Sequence, residues 1–512
     1  MGDKGVVAER EHESRERSAS SGGDAAVGQA PAVPAGQPPD WVGALPVASN
    51  WGRLAHWLAL AVADAASLTT SFLVAYLAWG GGQLGQPLSL YLDLFPVVLI
   101  LPLVYVGAGL YPGFGLGPVE TLRRLTLATS VSFLMLGALT FALKLPNVYS
   151  RVTFTLAWLV SLALLPLARS GLAVFAGRRG WWGEPVVVIG AGARMEEAIR
   201  QLQRHPSRGY RPIAALNPAG EQPVTDMPGV PVVGSVALAP EVAGRGVRVA
   251  ALVQEELALG PLGAWLQDCF RQVIVLRGLR ELPVEHVEVR NLGEMLGIEY
   301  SNQLLRKRNR VLKRTLDLLA GITGLVVALP LIALAALLVK LSSRGPAFFV
   351  QEREGLGGRT IRVRKLRTMY VDAPERLAKH LESEPEARRQ WEERFKLAHD
   401  PRVVPYVGTF LRRFSLDELP QLLAVVRGEM GFVGPRPFPS YHLQRFSPAF
   451  RELRRRVRPG LTGLWQVTVR SEGSVADQEA YDTYYIRNWS VWLDVYIGAR
   501  TVRAVLTGHG AY

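Results

Sequence analysis

A single cysteine, Cys269, stands in a chain of 512 residues. No internal disulfide can form, and the lack of any Cys/His cluster at ligand spacing argues against a structural zinc site, so Cys269 reads as core filling. Acidic residues are also few, 44 Asp and Glu against 58 Lys and Arg, and the net charge of +14 calls for anionic partners. Such partners are nucleic acid, an acidic lipid surface or phosphorylated substrates. Apolar runs beside the cations favour the last two, and no nucleic-acid partner is expected. Residues 1–48 have no apolar periodicity and no signal-peptide core; rich in Gly, Ala, Pro, Ser and charge, they are expected to form a disordered tail.

A hydrophobic content of 49% in so long a chain implies membrane segments and excludes a soluble single domain. Apolar stretches near 55–79, 91–111, 125–145 and 152–175 each approach the length of a membrane helix, which predicts a four-helix transmembrane bundle over 49–178. Arg123 and Arg124 in one loop and Arg169, Arg178 and Arg179 after the last span, against no Lys or Arg in 80–90, place both ends of the bundle in the cytoplasm. Lys144 and Arg151 argue the other way with fewer charges.

From residue 184 the run Glu-Pro-Val-Val-Val-Ile-Gly-Ala-Gly-Ala-Arg-Met opens a Rossmann-like α/β domain, expected over 179–283, with further strands at 212–216, 247–253 and 272–276. Two features of a dinucleotide site are missing. Met195 stands where the third glycine belongs, and no acidic residue closes the second strand to hold a ribose. A structural, oligomerising or regulatory domain is favoured over one that binds NAD or FAD. Residues 284–305 read as a linker ending in the cations Arg306, Lys307, Arg308, Arg310, Lys313 and Arg314. The apolar segment 315–341 that follows has cations at both ends and Pro330 at its middle, a pattern expected of a re-entrant helix that enters and leaves on one side.

The chemistry concentrates at 412–422, Arg-Arg-Phe-Ser-Leu-Asp-Glu-Leu-Pro-Gln-Leu. Ser415 and Glu418 have the spacing of a capping box, which would put Asp417 in the first turn of a helix, where ionised carboxylates and phosphoryl groups are both favoured. Taken alone, the stretch reads better as an ordinary capped surface helix, with Asp417 as first-turn decoration. Its company argues otherwise: Pro435 and Pro437 fix the backbone around Arg436, and Arg364-Lys365-Leu366-Arg367-Thr368-Met369 sets cations along a predicted strand. Two adjacent carboxylates ringed by cations suit phosphoryl transfer. The helical segment 443–457, with four arginines beside Phe446 and Phe450, reads either as a membrane-surface helix or as an ordinary solvated one.

Six blocks in order carry a resemblance over about residue 306 to the end: the basic-then-apolar segment with Pro330, Arg-Lys-Leu-Arg-Thr-Met, Ser-Leu-Asp-Glu-Leu-Pro-Gln, Gly-Pro-Arg-Pro, Arg-Pro-Gly-Leu-Thr-Gly-Leu-Trp-Gln, and Tyr-Asp-Thr-Tyr-Tyr-Ile-Arg-Asn-Trp-Ser. This part resembles the monotopic polyprenyl-phosphate phosphoglycosyl transferases, and the whole chain resembles their large multi-domain type, like undecaprenyl-phosphate galactose phosphotransferase. The resemblance implies a mixed α/β catalytic domain together with the re-entrant helix over 306–512. It implies transfer of a sugar 1-phosphate from a UDP-sugar to undecaprenyl phosphate, releasing UMP, as the first membrane step of exopolysaccharide, capsule or O-antigen synthesis. Galactose is favoured, with glucose or an N-acetylated sugar open. Asp417 takes the family's nucleophile position and Glu418 that of its catalytic partner and Mg²⁺ ligand, while Lys365, Arg412 and Arg436 match the phosphate-binding cations. Asp482 is a further candidate for sugar or metal contact. Leu366 stands where many relatives carry Phe. Membrane lipids are expected partners, a homodimer would form through the bundle or the Rossmann-like domain, and the catalytic domain would face the cytoplasm from the bacterial inner membrane. The competing readings are a scaffold or regulator of glycan assembly, which could dispense with Asp417, and a dinucleotide-binding sugar-modifying enzyme.

Overall fold

The computed structural model describes residues 50–81, 102–142, 150–217, 232–253, 260–276, 287–291, 296–300, 306–394, 400–468 and 474–507, with a few single residues besides. The expected N-terminal tail and most of the expected span 91–111 lie outside these, although residues 102–107 are helical. The chain divides into two units, Met1–Arg277 and Gly278–Tyr512.

Among the described residues, the first unit begins with three long helices, α1 (Asn50–Ala75), α2 (Pro118–Ala142) and α3 (Arg151–Arg178), the first prolonged by a π-helical turn at Tyr76–Gly80. Each is long and apolar enough to cross a membrane. Phe72 of α1 stacks on Phe133 of α2 at 5.5 Å and meets Phe154 of α3 edge-on at 5.7 Å. The bundle is not apolar throughout. Asp64 and Arg169 are both buried and form an ion pair that Tyr111 joins through its hydroxyl, and Arg169 also donates to the Leu110 carbonyl. The sequence reading counts Arg169 among the cations beyond the fourth span. It lies instead inside α3, neutralised by Asp64, so it is no guide to orientation.

After α3 comes a five-stranded, all-parallel sheet of β1 (Glu184–Ile189), β2 (Tyr210–Asn217), β3 (Val232–Ser235), β4 (Val249–Val253) and β5 (Gln272–Leu276), in the order β3-β2-β1-β4-β5. Helix α4 (Gly192–Arg204) follows β1, and its Met195 is 2% exposed, packed with Val186, Val188 and Ile199. The residue in place of the third glycine is therefore a core side chain that seats α4 on the sheet. Helices α5 (Ala239–Gly244) and α6 (Gly260–Cys269) cover the sheet with Leu266 and Phe270. Cys269 packs against that core, as its composition implied.

The second unit opens with an antiparallel pair, β6 (Val287–Asn291) and β7 (Leu296–Tyr300), so the stretch expected to be a plain linker holds a hairpin. Helix α7 (Lys307–Ser342) then runs for 36 residues and stays helical on both sides of Pro330. Its buried residues Lys313, Asp317, Gly321, Ala328, Ile332, Ala335 and Val339 recur every three, four or seven positions and form a single face. That face is packed on the catalytic fold along its whole length. Arg314 donates to the Val425 and Val426 carbonyls, Asp317 accepts from the Phe432 amide at 2.9 Å, and Val339 meets Leu366 and Leu411. At the far end Arg367 donates to the carbonyls of Ser343 and Arg344. Glycine is required at 321, where a Cβ would come within 2.9 Å of Val425. The opposite face, with Leu319, Val326, Val327, Leu334, Leu337 and Leu341, is exposed and largely apolar.

The catalytic fold consists of a hairpin of β8 (Phe348–Glu354) and β9 (Thr360–Leu366), helices α8 (Ala373–Ser383) and α9 (Pro385–Arg394), the short α10 (Val407–Arg413), and a 3₁₀ turn at Leu416–Gln421 that runs into α11 (Leu422–Arg427). Strands β10 (Gly431–Val433) and β11 (Gly460–Thr462) pair in parallel, and α12 (Pro448–Arg455), α13 (Val475–Arg487) and α14 (Val491–Thr507) complete it. Phe446 and Phe450, placed on a membrane-surface helix in one of the two sequence readings, are buried against Phe438 and Trp465, so this segment spends its apolar face on the core. Lys313, counted among the cations before the apolar segment, is buried between Asp317 (2.5 Å) and Asp494 (3.1 Å). Lys313→Met leaves two buried carboxylates without their cation and is expected to cost about 3 kcal/mol. Thermal unfolding of the detergent-solubilised protein measures it, and a loss below about 1 kcal/mol would show that the triad does not hold the helix.

Candidate active site

Strand β9 delivers Lys365 to the site, α10 delivers Arg412, the 3₁₀ turn carries Asp417 and Glu418, and the loop after β10 carries Arg436. The loop's position is set by backbone contact. Gly434 donates to the Thr462 carbonyl and Gly460 to the Pro435 carbonyl, both at 2.8 Å, and a Cβ on Gly460 would lie 2.1 Å from the Gly434 nitrogen. Only glycine permits that approach.

The capping box read from the sequence is not formed. Ser415 has a left-handed backbone (φ 54°) and makes no side-chain cap, and the turn after it is 3₁₀. The physical reason is the stronger claim on Glu418, whose Oε1 accepts from Lys365 Nζ at 2.5 Å and from Arg436 at 2.8 Å. A carboxylate holding two cations does not turn back to cap a backbone amide. Burial alone would raise the Glu418 carboxyl, but Arg436 and Lys365 outweigh it and hold the group down at about 2. Asp417, partly exposed, makes no hydrogen bond or ion pair among the described residues. Burial raises its carboxyl to about 6 against the pull of Lys365, with Glu418 adding to the rise and Arg412 and Arg436 opposing it. Two neighbouring carboxylates are thus driven apart, one permanently ionised and paired, the other free and titrating near neutrality.

Five of the six residues singled out in the sequence come together: Asp417, Glu418, Lys365, Arg412 and Arg436. Asp482 does not join them. It is 0% exposed on α13, neither of its oxygens has a hydrogen-bond partner among the described residues, and burial raises its carboxyl to about 7 against the charge of Arg454. Its connection to the site runs through that arginine, which stacks on Phe438 and donates to the Arg436 carbonyl at 2.8 Å. Sequence reasoning misses Arg454 as a support, since among consecutive arginines at 454, 455 and 456 nothing marks the buried one. It also misses Arg353 of β8, which donates to the Pro437 carbonyl at 3.1 Å.

Among the described residues no group of three or more His, Cys, Asp or Glu could hold a metal by itself. The donors do fit Mg²⁺ in a shared site. Both cations use Oε1 of Glu418, which leaves Oε2 to share the ion with phosphate oxygens, as Mg²⁺ commonly does.

Comparison with known proteins places the chain in a family. A family model described as "Bacterial sugar transferase" matches residues 308–508, and one described as "CoA-binding domain" matches 109–249. A UDP-galactose-lipid carrier transferase of Erwinia amylovora is 33% identical over 71% of this chain and 76% of its own length. The chain belongs to the bacterial sugar transferase family. Within it, an undecaprenyl-phosphate galactose phosphotransferase of Salmonella typhimurium is 31% identical over 71% of this chain and 77% of its own length. A UDP-glucose:undecaprenyl-phosphate glucose-1-phosphate transferase of Caulobacter vibrioides is 42% identical over 39% of this chain and 72% of its own. This sugar transferase is therefore a membrane-associated transferase enzyme whose family match covers the whole carboxylate site.

If ionised Asp417 is the working group, the transfer rate rises with pH and reaches half its plateau near 6. At pH 5 it should be about tenfold slower, because only the deprotonated fraction reacts. A rate profile from pH 4.5 to 8 checks this; a flat profile would exclude Asp417 as the titrating group.

Proposed function

We propose that this sugar transferase moves a sugar 1-phosphate from a UDP-sugar to undecaprenyl phosphate through a covalent intermediate on Asp417. The observation that carries the reading is the division of labour at the dyad: Glu418 binds both Lys365 and Arg436, while Asp417 has no partner among the described residues. An Asp417 oxygen attacks the sugar-bearing phosphorus as the bond from that phosphorus to the bridging oxygen breaks, and UMP departs with the electron pair. The undecaprenyl phosphate oxygen then attacks the same phosphorus and returns Asp417 as carboxylate. Arg436 and Arg412 neutralise the phosphates, and Glu418 fixes Lys365 and Arg436 in place. When bound, Mg²⁺ would be held by Glu418 and would offset the charge of the diphosphate.

The donor and acceptor follow the relatives' names, and galactose is the favoured sugar because two of the relatives covering most of the chain are named for it. The same similarity supports a role at the first lipid-linked step of surface polysaccharide synthesis.

The reading of α7 as a re-entrant helix draws support from its packing. One face and both flanks lie on a single catalytic fold, and the other face is apolar and exposed, which suits burial in one leaflet from the side that holds the site. With nucleotide sugars as donors, that side is the cytoplasm. The α/β domain is read as structural rather than dinucleotide-binding, since Met195 fills the place of the third glycine.

With UDP-galactose and no lipid acceptor, the enzyme should release about one UMP per active site and retain a sugar phosphate on residue 417. Asp417→Asn should abolish both while leaving thermal stability intact, since Asp417 makes no hydrogen bond or ion pair among the described residues. UMP release that needs undecaprenyl phosphate would favour direct attack by the lipid in a ternary complex.

A further inference from the structure

Arg353 is a half-buried guanidinium with no acid to answer it. Its two hydrogen bonds go to neutral oxygens, the Pro437 carbonyl and the Gln351 side-chain amide, and among the described residues no Asp or Glu comes within 4.0 Å. An arginine cannot shed its proton, so a charge set in the fold this way depends on a counter-ion from elsewhere.

Its neighbours do not supply one. Burial first, and then the like charge of Arg436, push the Arg353 guanidinium down to about 10. Glu418 acts on it at longer range but is already bound by Lys365 and Arg436. Within the site, Arg353, Lys365, Arg412 and Arg436 outnumber the dyad carboxylates Asp417 and Glu418, with Asp400 acting on Arg412 from beside it. A diphosphate diester carries two negative charges.

The backbone holds Arg353 where it can meet such a ligand. Within the hairpin it pairs with Ile361, and the next amide, Glu354, donates to the Phe438 carbonyl at 3.3 Å, which fixes the strand end beside the loop that carries Arg436. Of five N–H donors the guanidinium uses two, so three remain for phosphate oxygens.

We propose that Arg353 is a substrate-binding residue that, with Arg436, grips the diphosphate of the nucleotide sugar. This deepens the proposed function and rests on it for the identity of the donor. The anion seat itself can be tested without turnover, on the full-length protein, by calorimetric titration with inorganic diphosphate and with UDP. Arg353→Gln should weaken both by about tenfold or more and raise the KM for UDP-sugar in parallel, with the ligand-free melting temperature within about 2 °C of wild type. Arg353→Lys, which keeps the charge but not the fork, should lose less than the Gln variant and decides the matter if that variant does not fold. Gln-variant affinities within about threefold of wild type would overturn the assignment. So would equal loss in both variants accompanied by a lowered melting temperature, which would make Arg353 a support for Pro437. If the wild type binds diphosphate and UDP but forms no lipid-linked sugar, the proposed function fails and the seat remains.

Discussion

Oxygen Oε1 of Glu418 accepts hydrogen bonds from Lys365 and Arg436 together, and the site is arranged around that contact. It draws strand β9 and the loop after β10 onto the 3₁₀ turn between them. It also consumes the charge of one carboxylate of the dyad, so that the other, Asp417, stays unpaired, partly exposed and raised toward neutrality by burial. In the proposed mechanism the two acids differ in role because they differ in partners, although they are adjacent in sequence and alike in chemistry.

Holding that contact requires a rigid surround, and α7 provides much of it. Lys313, Asp317 and Asp494 bind its beginning to α14, the Asp317 carboxylate takes the Phe432 amide of β10, and small residues farther along admit Leu422 and Val425 of α11. Through β10 the same helix fixes the start of the loop that aims Arg436, while Arg454 holds that residue's carbonyl. In the proposed placement, the helix that meets the lipid is thus also a wall of the reaction site, which suits an enzyme whose acceptor is a membrane lipid.

Much of this is readable from the chain alone. The dyad, its three cations, the apolar helices and the strands beginning at 184, 210, 249 and 272 all announce themselves by local pattern. What stays hidden depends on partners far away in the chain. The Ser415 cap is a sound local expectation that loses to Lys365, 53 residues upstream of Glu418. Arg169 looks like a loop cation until Asp64, 105 residues away, is found to neutralise it. Asp482 and Arg454 carry no sign of burial, and Arg353 sits in a strand whose alternation marks it no more than its neighbours. Side-chain period tells which face a residue takes, and it cannot tell which charge waits there.

The central claim is that burial raises the pKa of Asp417 and that Glu418, by its own charge and by occupying Lys365 and Arg436, keeps it raised. Single-turnover UMP release without acceptor, followed against pH in wild type and in Glu418→Gln, tests it most directly. The substitution removes a negative neighbour and frees two cations to face Asp417, so the acidic midpoint should move below its wild-type value near 6. A midpoint that stays in place or rises would contradict the account.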